Sequence, residues 1–342
     1  VTYKSEGTDF TGSLIIGHST TGTLDAATYN TAVGLTALDA ITSGDKNVAV
    51  GYGALTANTT GEKNIAIGYD ALVANTTGIR NTAVGFNCLK ANTEGAQNTA
   101  LGSASLDATT TGDSNTAIGY RALSANTTAD NNTAVGNDAL LVNTTGVENV
   151  AVGAYALDAN TTGSYNNALG WSALGANTTG AKNAAFGENA LAVNTTADNN
   201  VAVGHDSLKA NTTGSQNIAI GMNCLSTNTT ADNNTAVGKA SMYANTTGHS
   251  NAAFGYDSLG ANTTGNENAV LGFQALMSNT TGTGNTAVGK TALRANTTAS
   301  NNTSVGIYSL TTNTTGYDNC AAGVKALRFN TTGNFNTALG AY

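Results

Sequence analysis

The stretch Asn47-Val-Ala-Val-Gly-Tyr-Gly-Ala-Leu-Thr-Ala-Asn-Thr-Thr-Gly-Glu-Lys63 is one period of this chain, and the next opens at Asn64 with Asn-Ile-Ala-Ile-Gly. An Asn recurs every seventeen residues from Asn30 to Asn336, and a Gly follows each four residues later, from Gly34 to Gly340. Ser13-Leu-Ile-Ile-Gly17 already falls in this register, so residues 13 to 336 carry twenty registers. A strict short period is the mark of stacked units, each burying its apolar face on its neighbour. It moves the functional question from a cleft to shape and surface.

Number one unit from its Asn. Position 3 is Ala almost throughout, with Val270 and Ser304 as exceptions. Position 4 is apolar, as in Val50, Ile67, Leu101 and Phe186. Position 5 is the fixed Gly. Position 8 is small, and position 9 is Leu in every full unit but one, where Met242 stands. Positions 12 to 14 mostly read Asn-Thr-Thr, and position 15 is Gly or Ala. Positions 6, 7, 10, 16 and 17 vary.

Strings of Thr, Asn and Gly are poor helix formers, and seventeen residues leave no room for two helices and two turns. The pattern predicts an all-β fold: a parallel β-solenoid, or β-roll, of about twenty 17-residue coils. Residues 13–342 form a single array and 1–12 a non-repeat lead-in or cap. Within a coil, alternation predicts short strands at positions 1–4 and 8–11. Position 10 holds Lys90, Lys209, Arg294 and Asp107 and should face water, so 9 and 11 face inward. Position 4 is expected to share that core, and positions 3 and 8 to face outward.

An outward position held to Ala suggests a second backbone packed close, as in a parallel three-fold bundle of chains. A flat sheet in which Ala fits the pleat is the competing reading. The Gly positions read as corners. Where Ala replaces Gly at position 15, at Ala129, Ala197, Ala231 and Ala299, position 17 becomes Asn131, Asn199, Asn233 and Asn301. This exchange suggests one left-handed residue, supplied at either place. The Asn of positions 1 and 12 should form hydrogen-bonded ladders. Pro, which would remove a ladder donor in every coil, is absent.

Composition narrows the function classes. Charged residues make up only 10%, against 40% hydrophobic, which does not suit a disordered tail. Net charge is −8 with isolated Lys and Arg, unlike a nucleic-acid binder. No run of about eighteen apolar residues offers a membrane span. Val1 to Thr8 lack the shape of a signal peptide, and the last unit stops within a period at Tyr342, as a fragment would. Cys88 and Cys224 share position 8 eight units apart, roughly 38 Å at strand spacing, too far for a disulfide. With Cys320 they read as small residues in place of Ala or its like.

The string Asn64-Ile-Ala-Ile-Gly-Tyr-Asp-Ala-Leu72 resembles the repeats of phage tail-fibre proteins. It also looks like the head repeats of trimeric autotransporter adhesins, which use shorter units around a similar core motif. The opening Gly12-Ser-Leu-Ile-Ile-Gly-His-Ser-Thr-Thr-Gly-Thr-Leu24 is similar to tail-fibre lead-ins. The resemblance covers roughly residues 13–342. It implies parallel β-rolls wound as homotrimers, borne outside the cell or on a virion, and used as shafts or adhesive heads.

Catalytic and metal motifs are not found. His18, His205 and His249 do not pair at metal-ligand spacing. No Ser, His and acid stand in fixed relation. Asp130 and Asp198, at position 16, read as turn residues, and acids are too sparse for a calcium β-roll. Fifteen Asn-Thr-Thr tripeptides match the N-glycosylation pattern, which a repeat copies from one accident.

The sequence therefore points to a non-catalytic structural fibre with no cofactor or metal and no nucleic-acid partner or membrane insertion. Its expected partners are copies of itself and a cell-surface glycan or protein receptor. Twenty coils would rise about 95 Å. Position 6 carries Tyr52, Tyr69, Phe86, Tyr120, Trp171, Tyr256 and Phe273, rings suited to stacking on sugars or to bracing the corner. An ice-binding solenoid is the alternative, resting on Thr columns at positions 13 and 14, such as Thr59 and Thr60. A filament subunit stacking end to end through unpaired edges is the third.

Overall fold

A computed structural model describes residues 3–5, 13–16 and 27–341. Most of the lead-in, His18 and Tyr342 therefore lie outside the described residues. The chain divides into two compact units, residues 1–166 and 167–342. Each is an all-β parallel β-solenoid whose coils are seventeen residues long, and no helix occurs among the described residues.

In the first unit, β1 (Tyr3–Ser5) runs antiparallel to β2 (Leu14–Ile16). From β2 on, every three-residue strand pairs in parallel with the next, through β3 (Thr31–Val33) to β10 (Val150–Val152). The second unit repeats this from β11 (Asn167–Leu169) to β21 (Thr337–Leu339). Register is strictly like on like: Val48 opposes Ile65, Ala49 opposes Ala66, and Val50 opposes Ile67.

The strand occupies positions 2–4, and its facing is the reverse of the expectation. Ala32, Ala49 and Ala66 at position 3 are fully buried, whereas Ile65 and Ile67 at positions 2 and 4 are about two-fifths exposed (39% and 40%). A seventeen-residue coil encloses little space. The Ala of position 3, a small residue at position 8 and one Leu fill most of it, and Val270 is also taken in at position 3, 2% exposed. The close backbone expected outside that Ala is the coil's own far wall. Buried Cys88 at position 8 sets its Sγ 3.2 Å from the carbonyl of Ala100, a position 3 residue.

No second strand forms at positions 8–11. The backbone there turns through left-handed residues at positions 7 and 9, for example Asp70 (φ 51°) and Leu72 (φ 52°). This is how positions 8 and 9 both come to be buried in succession. A left-handed Leu costs about 1–2 kcal/mol, and full burial of its side chain returns about 1.5–3 kcal/mol. Neighbouring coils still bond here: Leu55 N–H donates to Ala71 C=O (3.1 Å) and Ala57 N–H to Val73 C=O (3.1 Å). Ala at position 11 ends half-buried rather than inside.

Position 5 needs Gly twice over. Gly51 has φ +134°, and a Cβ on it would run into the Gly68 carbonyl oxygen. At position 17 the backbone is left-handed in units of both kinds, at Lys63 (φ 59°), Arg80 (φ 57°) and Asn131 (φ 59°) alike. Gly at position 15 has no such φ and is there because its neighbours crowd it. The two positions thus do not share one left-handed residue, and nothing in the structure explains why Ala129 accompanies Asn131.

Candidate functional site

The expected Asn ladders are present and joined to each other. Asn47 N–H donates to Asn30 Oδ1 (2.9 Å), and Asn64 N–H to Asn47 Oδ1 (2.9 Å). In the second column Asn75 Nδ2 donates to Asn58 Oδ1 (2.8 Å), and Asn92 Nδ2 to Asn75 Oδ1 (2.8 Å). Both columns also meet at one acceptor. The Gly61 carbonyl takes Asn47 Nδ2 at 2.9 Å and Asn58 Nδ2 at 3.0 Å. The position 15 carbonyl thus cross-braces the coil, and Ala129 does it as Gly does, with Asn115 and Asn126. These amides are buried in every Asn-Thr-Thr tripeptide except the last, where Asn330 is half-buried.

Thr at position 13 is also committed to the stack: Thr59 Oγ1 and Thr59 N–H both donate to the Thr76 carbonyl (3.2 and 3.0 Å). Thr60 at position 14 is exposed. The expected pair of Thr columns is therefore one wet column and one structural one. Position 16 supplies a further side-chain ladder. Asp113 N–H donates to Asp130 Oδ1 (2.7 Å) and Ala181 N–H to Asp198 Oδ1 (2.7 Å). Asp130 and Asp198 do more than shape a turn: each accepts a hydrogen bond from a backbone N–H of the coil before it.

Two kinds of surface remain outside. The first is the aromatic set at position 6, each ring 45–54% exposed. Tyr52, Tyr69, Phe86 and Tyr120 belong to the first unit, and Trp171, Tyr256 and Phe273 to the second. Tyr52 and Tyr69 stack at 5.1 Å and Tyr69 and Phe86 at 5.3 Å, so Tyr69 has a ring on each face. Tyr256 stacks on Phe273 at 5.3 Å, with Lys290 Nζ 5.9 Å from the Phe273 centroid. Arg121 lies 5.9 Å from the Tyr120 centroid. Strand spacing is close to ring-stacking distance, so rings in successive coils meet each other first. Where rings stack in this way, what they present outward is mostly their edges.

The second is the outer face of the strands, where the apolar residues of position 4 stand instead of in the core. It displays positions 2 and 4, among them Ile65, Ile67, Leu101, Ile118 and Val152 in the first unit. In the second it displays Leu169, Phe186, Ile218, Ile220, Phe254, Leu271 and Val305. Parity is the signal that finds it, because the laddered Asn at position 1 shares its side of the strand with position 3, not position 4.

The buried thiols are inert by environment. Burial pushes Cys88 up to about 11 and Cys224 up to about 12. Cys320, at position 2, lies on the outer strand face and is half-buried. His205 is exposed 3.7 Å from Asp206, and no cluster that could hold a metal ion occurs among the described residues. No described helix is long and apolar enough to cross a membrane. No protein-family model and no curated protein matches this chain.

Proposed function

We propose that this chain is a non-catalytic structural segment of an extracellular or virion-borne appendage. In this reading it is a shaft or adhesive head of the phage tail-fibre or trimeric adhesin kind. It works in surface or host attachment as an assembly of copies, and its contacts are other copies and a surface glycan or protein. One observation carries the reading: the polar groups inside each coil are used to bind the next. Asn, Thr and Gly spend their hydrogen bonds on identical neighbours, so repeat number sets length. Variable chemistry is confined to positions 6, 7, 10, 16 and 17.

Deleting residues 64–97, two whole periods of the first unit, tests this. The remaining coils should close on one another, unfold cooperatively and shorten the particle by about 10 Å. Loss of cooperative unfolding would defeat the reading.

A second reading, ice binding, draws on Thr31, Thr82, Thr99, Thr116 and Thr133, which point outward at position 2 in a regular β array. The larger Ile67, Leu101 and Ile118 side chains at position 4 of the same face break its flatness and favour the fibre. A thermal-hysteresis measurement separates the two.

A further inference from the structure

We infer that copies of this chain join through the outer strand face made by unit positions 2 and 4. The inference rests on the assembly reading above and names the surface that carries it.

That face is uncharged along each unit, an apolar row at position 4 beside a row of mostly Thr and apolar residues at position 2. Position 4 is Val, Ile, Leu, Phe or Ala in every coil from Val33 to Leu339, and position 2 is never charged. Other exposed positions do take charge, as Lys90 and Arg294 at position 10, Lys239 at position 6 and Asp198 at position 16 show. Leu101 is 47% exposed and Leu271 54%. The face runs through the nine parallel strands of the first unit and the eleven of the second, an extended surface of the kind that stable interfaces use. Monomers rarely leave a long continuous row of apolar side chains such as that of position 4 open.

Periodicity and charge identify the occupant. The face repeats at strand spacing with like opposite like, as in Val201 against Ile218 and Val203 against Ile220. A globular partner would cover a few rungs and leave the others free to drift to polar residues. A partner with the same rise and the same stripe covers all of them, and another copy of this chain has both. At net charge −8, copies repel through their charged edges and can approach closely only where charge is missing.

The test is sedimentation velocity of the full chain at micromolar concentration. The variant carries Ile67→Lys, Ile118→Lys and Val152→Lys on the face. The control carries Val73→Lys and Leu141→Lys at position 10, where Lys90 and Lys209 stand naturally. Wild type and control should sediment as the assembly, and the face variant as a monomer with an unchanged circular dichroism spectrum. A face variant that still assembles overturns this surface and leaves the assembly reading standing. A monomeric wild type overturns both. Should the face variant fail to fold, the wild type supplies its own probe in Cys320. Alkylation of Cys320 should slow about ten-fold from dilute to assembled protein, because only the dissociated fraction reacts. A rate independent of concentration would overturn the surface.

Discussion

Asn92 Oδ1 is buried without a hydrogen-bond donor because the residue one coil on, Thr109, has no amide to offer. In neighbouring coils that oxygen receives the next Asn Nδ2, as Asn58 Oδ1 does from Asn75 at 2.8 Å. The Thr109 hydroxyl instead donates to the Asn126 carbonyl (3.0 Å). One ladder of the first unit is therefore broken at a single rung. An unsatisfied buried acceptor costs about 1–3 kcal/mol. Thr109→Asn should raise stability by about 1 kcal/mol, read as a higher urea midpoint at constant m-value. The reverse defect, Asn75→Thr, should lower it by a similar amount. An unchanged midpoint in both would mean that the ladder bonds contribute no net stability.

Two glycines in adjacent columns should behave differently. Gly68 has φ +138° and a Cβ on it would meet the Gly85 carbonyl oxygen. Gly61 is crowded by Asn58 and Gly78 but has no left-handed φ, and Ala129 occupies its equivalent position. Gly68→Ala should cost about 3–5 kcal/mol, strain and overpacking together. Gly61→Ala should cost about 1 kcal/mol, since strain is absent and the coil shifts to admit a methyl. Equal losses in chemical denaturation would contradict the difference between the corners.

The reversed strand can be checked by truncation. Leu72 at position 9 is fully buried, and Ile67 at position 4 is 40% exposed. Leu72→Ala should lose about 3 kcal/mol. Ile67→Ala, measured on dissociated protein, should stay within about 1 kcal/mol of wild type. A larger loss at Ile67 than at Leu72 would restore the inward placement of position 4.

Alkaline stability should report the buried thiols. Burial raises Cys88 and Cys224 to about 11 and about 12, from an ordinary value of 9.0. The folded chain therefore holds these protons more tightly than the unfolded chain. Their contribution is complete below pH 9.0 and is lost as pH rises toward 11 and 12. The Cys88→Ala, Cys224→Ala double variant, with Ala natural to position 8, should unfold at a higher alkaline pH than wild type. A coincident alkaline transition in both proteins would refute the assignment.

Much of the coil is legible in the sequence because repetition is itself a measurement. Asn at positions 1 and 12 recurs where free surface residues would drift, and both columns prove to be ladders. The buried Leu of position 9 and the corner Gly of position 5 are legible for the same reason. The turn at positions 8–11 looks like a second strand because its residues alternate, and nothing local reveals that Asp70 and Leu72 are left-handed. The role of Asp130 is hidden because its partner is the Asp113 N–H, seventeen residues away. The aromatic column at position 6 is visible as a list of residues, but not as the stack that turns the faces of Tyr52 and Tyr69 toward each other.

The seventeen-residue period determined by itself that like residues lie over like, since only stacking gives each unit a place to bury its apolar and amide groups. The apolar pattern of the strand did not determine which side faces in. Alternation specifies two sides without a sign, and both the Ala at position 3 and the Val or Ile at position 4 are apolar. The interior volume of the closed coil decided it: with the Leu of position 9 and the small residue of position 8 in place, the space opposite takes an Ala in most coils and Val270 in one. That choice put the larger apolar side chains of position 4 on the outer face of the strands.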